Sequence, residues 1–296
     1  MAQLIGVDLG GTAIKLGRFS VEGQLLAELE VPTPQPPMPG AVVMALVEAV
    51  QQLDPDGLAT CVGVGLPGPM DAASRVARVC INLPGWEQIP LAEWLEPQLQ
   101  RRVTLANDGN CAVVGEAWHG AARGYRDVLL LTLGTGVGGG VLLGGNLFTG
   151  HGGAAAEPGL ICIDPEGPAC NSGNRGSLEQ FCSIGALARE SPMSPQELCC
   201  LADQGDAEAL AIWQRYGRRL GVGLSSLIYV LTPELVLIGG GLSAASAHFL
   251  PAALAEVEQR VQRESRQGLE LRRCALGNGA GRLGAARLAL DRLLNV

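Results

Sequence analysis

Gly6-Val7-Asp8-Leu9-Gly10-Gly11-Thr12-Ala13-Ile14-Lys15 sets a lone carboxylate at the end of an apolar strand, followed by two glycines, a hydroxyl and a lysine. Gln3 to Val7 reads as a buried strand, and the glycines permit a turn whose amides face an anion with no Cβ in the way. The pattern suits phosphate chemistry. Asp8 would not touch phosphate, since like charges repel, but a carboxylate beside a phosphate cradle can anchor Mg²⁺ from outside. Taken alone, the same residues also describe an ordinary hairpin with a solvated aspartate.

A second glycine loop decides between the two. Thr132-Leu133-Gly134-Thr135-Gly136-Val137-Gly138-Gly139-Gly140 follows the apolar run Val128 to Leu131 and precedes another, Val141 to Leu143. A third element, Leu235-Val236-Leu237-Ile238-Gly239-Gly240-Gly241-Leu242, ends a strand with three glycines on which a flat ring could rest against backbone. Two phosphate-binding hairpins and a nucleotide platform result. Neither the G-x-G-x-x-G nor the G-x-x-x-x-G-K-[ST] spacing is present, so the dinucleotide and Walker readings lose support.

Composition narrows the class further. A chain of 296 residues is long for one compact core and fits two lobes. Hydrophobic residues make up 47%, aromatics 4%, and there are 42 glycines, which suits tight α/β packing and argues against disorder. The net charge of -8, with no basic run, excludes an electrostatic footprint for nucleic acid. The longest apolar tract, Leu220 to Leu231, falls short of the ~20 residues a membrane helix needs and reads as a core helix. Met1-Ala2-Gln3 carries no charged leader ahead of an apolar stretch, so the expectation is a cytoplasmic protein. The nine cysteines sit mostly in apolar segments and read as reduced core thiols.

Along the chain, strands are expected at Gln3 to Val7, Ala13 to Phe19 and Gln24 to Val31. An extended proline-rich segment, Pro32 to Gly40, follows. Val42, Val43, Leu46, Val47, Val50 and Leu53 recur at helical spacing, strand Thr60 to Val64 comes next, and helix Leu91 to Leu99 precedes strand Val103 to Ala106. Helices are then expected over Cys111 to His119, Ala207 to Leu231, Ala247 to Arg266 with Pro251 in its first turn, and Arg282 to Leu294.

The order and content of these pieces resemble the sugar-kinase branch of the actin-like ATPase superfamily, specifically the ROK family of glucokinases and related hexose kinases. Further matching segments are Gly63-Val64-Gly65-Leu66-Pro67-Gly68-Pro69-Met70-Asp71, Asn82-Leu83-Pro84-Gly85-Trp86, Asn107-Asp108-Gly109-Asn110, Ala156-Glu157-Pro158-Gly159, Gly173 to Glu179 and Gly279-Ala280-Gly281. The resemblance implies an α/β, two-lobed, ribonuclease H-like fold with the active site in the interlobe cleft. It divides the chain into a small lobe of residues 1–110, completed by a C-terminal helix 282–296, and a large lobe of 111–281. It implies ATP and Mg²⁺ as cofactors, a hexose as partner and a homodimer, with no nucleic acid or membrane partner.

Carried onto this chain, the family's catalytic aspartate falls on Asp108, as general base toward the sugar hydroxyl. Such a group contributes roughly 10²- to 10⁴-fold, because phosphoryl transfer leaves a protein little beyond positioning, charge neutralisation and one proton to accept. Without the family pattern, Asp108 reads equally as a helix N-cap. Asn107, Glu157 and Glu179 correspond to sugar-binding positions, and a glutamate that accepts two hydroxyl protons selects hydroxyl pattern. Glu179 also suits the first turn of a helix. Gly68 and Asn82 would close the sugar pocket or serve as a turn glycine and a loop asparagine. Asp8 would hold Mg²⁺ through water; Gly10, Gly11, Thr12, Thr135 and Gly136 would form the phosphate loops, and Gly239 and Gly240 would face the adenosine. Lys15 reaches phosphate or decorates a hairpin face.

One segment departs from the family. Members carry E-x-G-H followed by C-x-C-G-x-x-G-C-x-E around a structural zinc, but here Leu160, Ser172 and Ser177 stand at three of the four ligand positions and only Cys170 remains. No zinc is expected there, and the histidine contact to sugar is lost. The function implied is an ATP-dependent glucokinase acting on the 6-hydroxyl of glucose. Alternatives are another hexose (fructose, mannose, an N-acetylhexosamine), polyphosphate as donor, or an inactive sugar sensor. A repressor would need a DNA-binding segment ahead of the phosphate strand, which starts by residue 5.

Overall fold

The computed structural model describes residues 2–80 and 83–294. The chain opens with β1 (Gln3–Leu9), β2 (Ala13–Ser20), β3 (Leu25–Pro32), α1 (Pro39–Leu53) and β4 (Ala59–Leu66). A small hairpin, β5 (Ala77–Val79) and β6 (Glu87–Ile89), precedes α2 (Leu91–Leu99), β7 (Arg102–Asn107) and α3 (Asp108–His119). Then come β8 (Val128–Leu133), β9 (Val137–Leu143), β10 (Asn146–Leu147), α4 (Leu178–Cys182), α5 (Ile184–Ala188), α6 (Pro195–Asp203) and α7 (Ala207–Leu231). β11 (Leu235–Gly239), α8 (Ser246–Arg260), β12 (Glu270–Arg273) and α9 (Ala280–Leu294) complete it.

The strands form two five-stranded sheets, ordered β3-β2-β1-β4-β7 and β10-β9-β8-β11-β12. Both combine antiparallel hairpins with parallel partners: β1 pairs β2 antiparallel and β4 parallel, and β8 pairs β9 antiparallel and β11 parallel. Alternation along each strand sorts side chains between two faces. On the first sheet Ile5, Val7, Leu9, Val62 and Val64 meet α1 and α2, while Leu4, Phe19 and Cys61 meet Leu283, Ala286 and Ala289 of α9. On the second, Leu129, Leu131, Val236 and Ile238 face α7 and α8, and Val128, Leu130, Leu235 and Leu237 face α3.

Helices α3 and α9 thus lie between the sheets, and their contact is nearly backbone on backbone. A Cβ on Gly284 would stand 1.7 Å from the Cys111 carbonyl oxygen, and one on Gly6 of β1 would stand 1.7 Å from that of Arg282. Real Cβ atoms do not approach that closely, so glycine at both positions is a condition of the layer spacing. Among the described residues no helix is long and apolar enough to cross a membrane.

Several expectations shift. Helix α8 stops at Arg260, where the Tyr229 hydroxyl donates to the Arg260 carbonyl and accepts from the Gln262 amide, so the expected continuation to Arg266 is a separate short turn. Pro251 lies inside α8, past its first turn. The strands β5, β6, β10 and β12 were not foreseen; each is only two to four residues long. Cys182 is buried as expected, but Cys162 is exposed.

Candidate active site

The β1–β2 turn is braced from outside. Thr33 donates its hydroxyl to the Gly10 carbonyl at 2.7 Å and its amide to the Thr12 carbonyl at 3.0 Å, and the Gln35 amide donates to the Gly11 carbonyl at 2.9 Å. With its carbonyls engaged, the turn keeps the Gly11 and Thr12 amides without a protein acceptor among the described residues. That is the inventory an anion requires. Thr33 and Gln35 were not foreseen, because they lie in the proline-rich segment and act from a distance in sequence.

Asp8 stands at the end of β1, in register with Lys15 across the hairpin. Burial raises its carboxyl above the usual range, opposed by the charges of Lys15 and of Arg282 on α9. Arg282 is a third unforeseen participant. Gly281 beside it belongs to the Gly279-Ala280-Gly281 motif, and a Cβ there would lie 3.4 Å from the Asp8 carboxyl carbon.

The second hairpin is braced by an acid. The Glu179 carboxylate accepts from the Val137 amide at 3.0 Å, and the Ile184 amide donates to the Gly134 carbonyl at 2.8 Å. Thr135 and Gly136 keep their amides without a protein acceptor among the described residues. Glu179 does sit in the first turn of α4, yet one of its oxygens is spent on this hairpin. Gly239 and Gly240 adjoin the same region for packing reasons: Gly240 has φ 77° and its Cβ would lie 2.3 Å from the Leu133 carbonyl oxygen, and Gly239's would lie 2.9 Å from the Cys274 sulfur.

Between the hairpins, Asn107 and Asp108 divide two tasks. Asn107, not Asp108, is the N-cap of α3: its Oδ1 accepts from the amides of Gly109 at 2.8 Å and Asn110 at 3.2 Å. Its Nδ2 donates to the Gly68 carbonyl at 3.2 Å, so much of the hydrogen-bonding capacity expected for sugar is spent on the protein. Gly68 itself has φ 105° and a Cβ there would stand 2.1 Å from the Val79 carbonyl oxygen, which gives it a structural reason to be glycine. Gly109 likewise serves packing, since a Cβ on it would stand 2.1 Å from the Gly139 carbonyl oxygen. Relieved of capping, Asp108 is solvent-accessible and accepts from the adjacent Gly109 amide at 2.8 Å.

Protein nevertheless crowds Asp108 on most sides. That desolvation first, against the Gly109 hydrogen bond and with the charge of Asp8 adding to it, pushes its carboxyl up to about 6. Glu157, half-buried ahead of the short turn Pro158–Leu160, is pushed up to about 7 by burial and then by the charges of Asp108 and Glu179. The charge of Asp8 acts on Asp108, and those of Asp108 and Glu179 act on Glu157, so the four carboxylates form one string from the first hairpin to the second. Asn82 lies outside the described residues.

The segment from Leu160 to Glu179, where the zinc pattern is broken, is tied by backbone bonds. Ile163 donates to Gly176, Gly176 to Pro168, Leu178 to Ile161 and Cys170 to Asn174, all at 2.8–2.9 Å, and Asn174 Nδ2 reaches the Leu160 carbonyl at 3.0 Å. Burial pushes the Cys170 thiol up, but hydrogen bonds from Ser172, with Ser177 nearby, outweigh it and hold the thiol below its usual range.

Two mixed sheets around a central helix pair, with glycine hairpins at corresponding places, define the fold of the actin-like ATPase superfamily. The chain belongs to the ROK family, whose model matches residues 4–292. It is 34% identical to a glucokinase from Thermotoga maritima over an alignment of 311 positions that covers 98% of both chains. Among solved structures, a ROK hexokinase from Thermus thermophilus is 37% identical with a TM-score of 0.86, covering 99% of this chain and 100% of that one. A ROK family glucokinase from Streptomyces griseus, solved in complex with glucose and AMPPNP, is 31% identical with a TM-score of 0.84, covering 98% and 99%.

Proposed function

We propose that this protein is an ATP-dependent hexose kinase, and specifically a glucokinase that phosphorylates the 6-hydroxyl of glucose. The observation that carries the reading is the string of four carboxylates lying between two hairpins with uncommitted amides. In this reading the Gly11, Thr12, Thr135 and Gly136 amides hold the terminal phosphates, and Gly239-Gly240 borders the adenosine. Glu157 and the free oxygen of Glu179 take sugar hydroxyls, with Asn107 alongside them.

Asp108 accepts the proton of the attacking hydroxyl, and a carboxyl near 6 is both ionised at neutral pH and a better base than an ordinary aspartate. The Asp8 carboxylate suits Mg²⁺, being a hard oxygen donor whose burial already raises its pKa and which an added cation would relieve. Asp8 would hold Mg²⁺ through water, and the ion would supply charge neutralisation for the phosphate oxygens. The lobes 1–110 with 282–296 and 111–281 would close to exclude water and suppress idle hydrolysis. A cytoplasmic location and a homodimer accompany this reading.

A coupled assay over glucose, fructose, mannose and N-acetylglucosamine, with ATP and polyphosphate compared as donors, tests it. Glucose with ATP should give the highest kcat/KM. Preference for another hexose or for polyphosphate would replace the specific part of the reading, and no phosphorylation of any sugar would overturn it.

A further inference from the structure

Between α6 and α8, Cys199, Asp203 and His248 bring a thiol, a carboxylate oxygen and an imidazole nitrogen within 4.8 Å of one another. Cys199 and Asp203 are one helical turn apart on α6 and so share a face. His248 comes from the first turn of α8, and its Nε2 lies 2.8 Å from Asp203 Oδ1. Nothing in the phosphoryl-transfer reading uses these residues.

We propose that Cys199, Asp203 and His248 form a binding site for one divalent cation of the zinc class, which would clamp α6 to α8. One sulfur, one nitrogen and one oxygen donor suit a borderline ion and disfavour Mg²⁺ or Ca²⁺, which take oxygen ligands. Metal–ligand bonds of about 2.0–2.3 Å imply separations of about 3.3–3.8 Å between ligand atoms, which small side-chain rotations from the present spacing reach. The Asp203 side chain is 65% exposed and that of His248 14%, so the carboxylate side is open for entry and for a water as fourth ligand while the imidazole is held.

The backbone favours a cation at this place for a separate reason. Asp203 is the last residue of α6, whose final turn carries no basic side chain, so its charge faces the negative end of the helix uncompensated. Burial, and after it the Asp203 charge and Cys200, raise the Cys199 thiol. Ligation as a thiolate would release the thiol proton to solvent.

The site is distinct from Asp8 and from the segment around Cys170, and its test does not depend on kinase activity. The full chain, stripped of metal by a chelator and dialysed, is titrated with Co²⁺ and then Zn²⁺. One equivalent of Co²⁺ per chain should produce a sulfur-to-cobalt charge-transfer band that Zn²⁺ abolishes. Cys199→Ser should lose the band and His248→Gln should weaken binding at least tenfold, while Cys200→Ser and Cys170→Ser leave both unchanged. A far-UV circular dichroism spectrum and metal-free melting curve of Cys199→Ser that match the unmodified protein would show that the variant is folded. Absence of the band in the unmodified protein, its survival in Cys199→Ser, or its loss in Cys170→Ser would overturn the proposal.

Discussion

The two glycine hairpins make the same offer to an anion, and both are braced through carbonyls, but an acid also holds the second. The first is braced through its carbonyls by Thr33 and Gln35, neutral groups with no part in the carboxylate string. The second is braced through an amide by Glu179, a member of that string. A change in the first brace should therefore be felt only on the nucleotide side. In the proposed reading Glu179 would touch both sides at once, so sugar binding would report on the phosphate hairpin through a single side chain.

Substitutions can break this contrast in graded steps. The largest effect is expected where the two sides meet. Asp108→Asn should lower kcat by about 10²- to 10⁴-fold, with glucose affinity by calorimetry changed only a few-fold, because the amide keeps the shape but cannot accept a proton. Asp8→Ala should reduce turnover by about 10²-fold, an effect on the order expected for a lost electrostatic contact in phosphoryl transfer, and leave glucose affinity without nucleotide unchanged. A large loss of sugar affinity would remove Asp8 from the nucleotide side.

Smaller effects sharpen the comparison itself. Glu179→Gln should raise KM for glucose and for ATP together by roughly tenfold each, about 1.4 kcal/mol apiece, whereas Thr33→Ala should raise KM for ATP alone. Equal effects of Thr33→Ala on both substrates would erase the distinction. The smallest is a stability effect at Glu157. Its carboxyl is raised from an ordinary 4.5 to about 7, so ionisation in the folded state becomes progressively unfavourable as pH rises through that interval. Stability from this group is complete below about 4.5 and lost above about 7. Glu157→Gln should therefore raise Tm at pH 8 and change it little at pH 4, as followed by thermal melts.

Much of this was legible in the sequence because the decisive signals are local. Glycine-terminated strands, the Asn107-Asp108 pair and the apolar spacing of α1 and α7 each read within a few residues. What was hidden is set by tertiary contact. Asn107 and Asp108 both suit an N-cap, and only the helix start shows that Asn107 takes it and leaves the acid open. Nothing near Gly109 in sequence shows that the Gly139 backbone lies against it. Arg282 and Thr33 reach the site from segments whose own sequence carries no chemical signature, and Cys199, Asp203 and His248 meet only because α6 and α8 do.

The pH dependence of kcat/KM for glucose tests the role of Asp108 most directly, since it reports the free enzyme's essential base. The account predicts an acid limb near pH 6, from the raised Asp108 carboxyl, that persists in Glu157→Gln. A profile flat to below pH 5, or a limb that vanishes when Glu157 is neutralised, would contradict it.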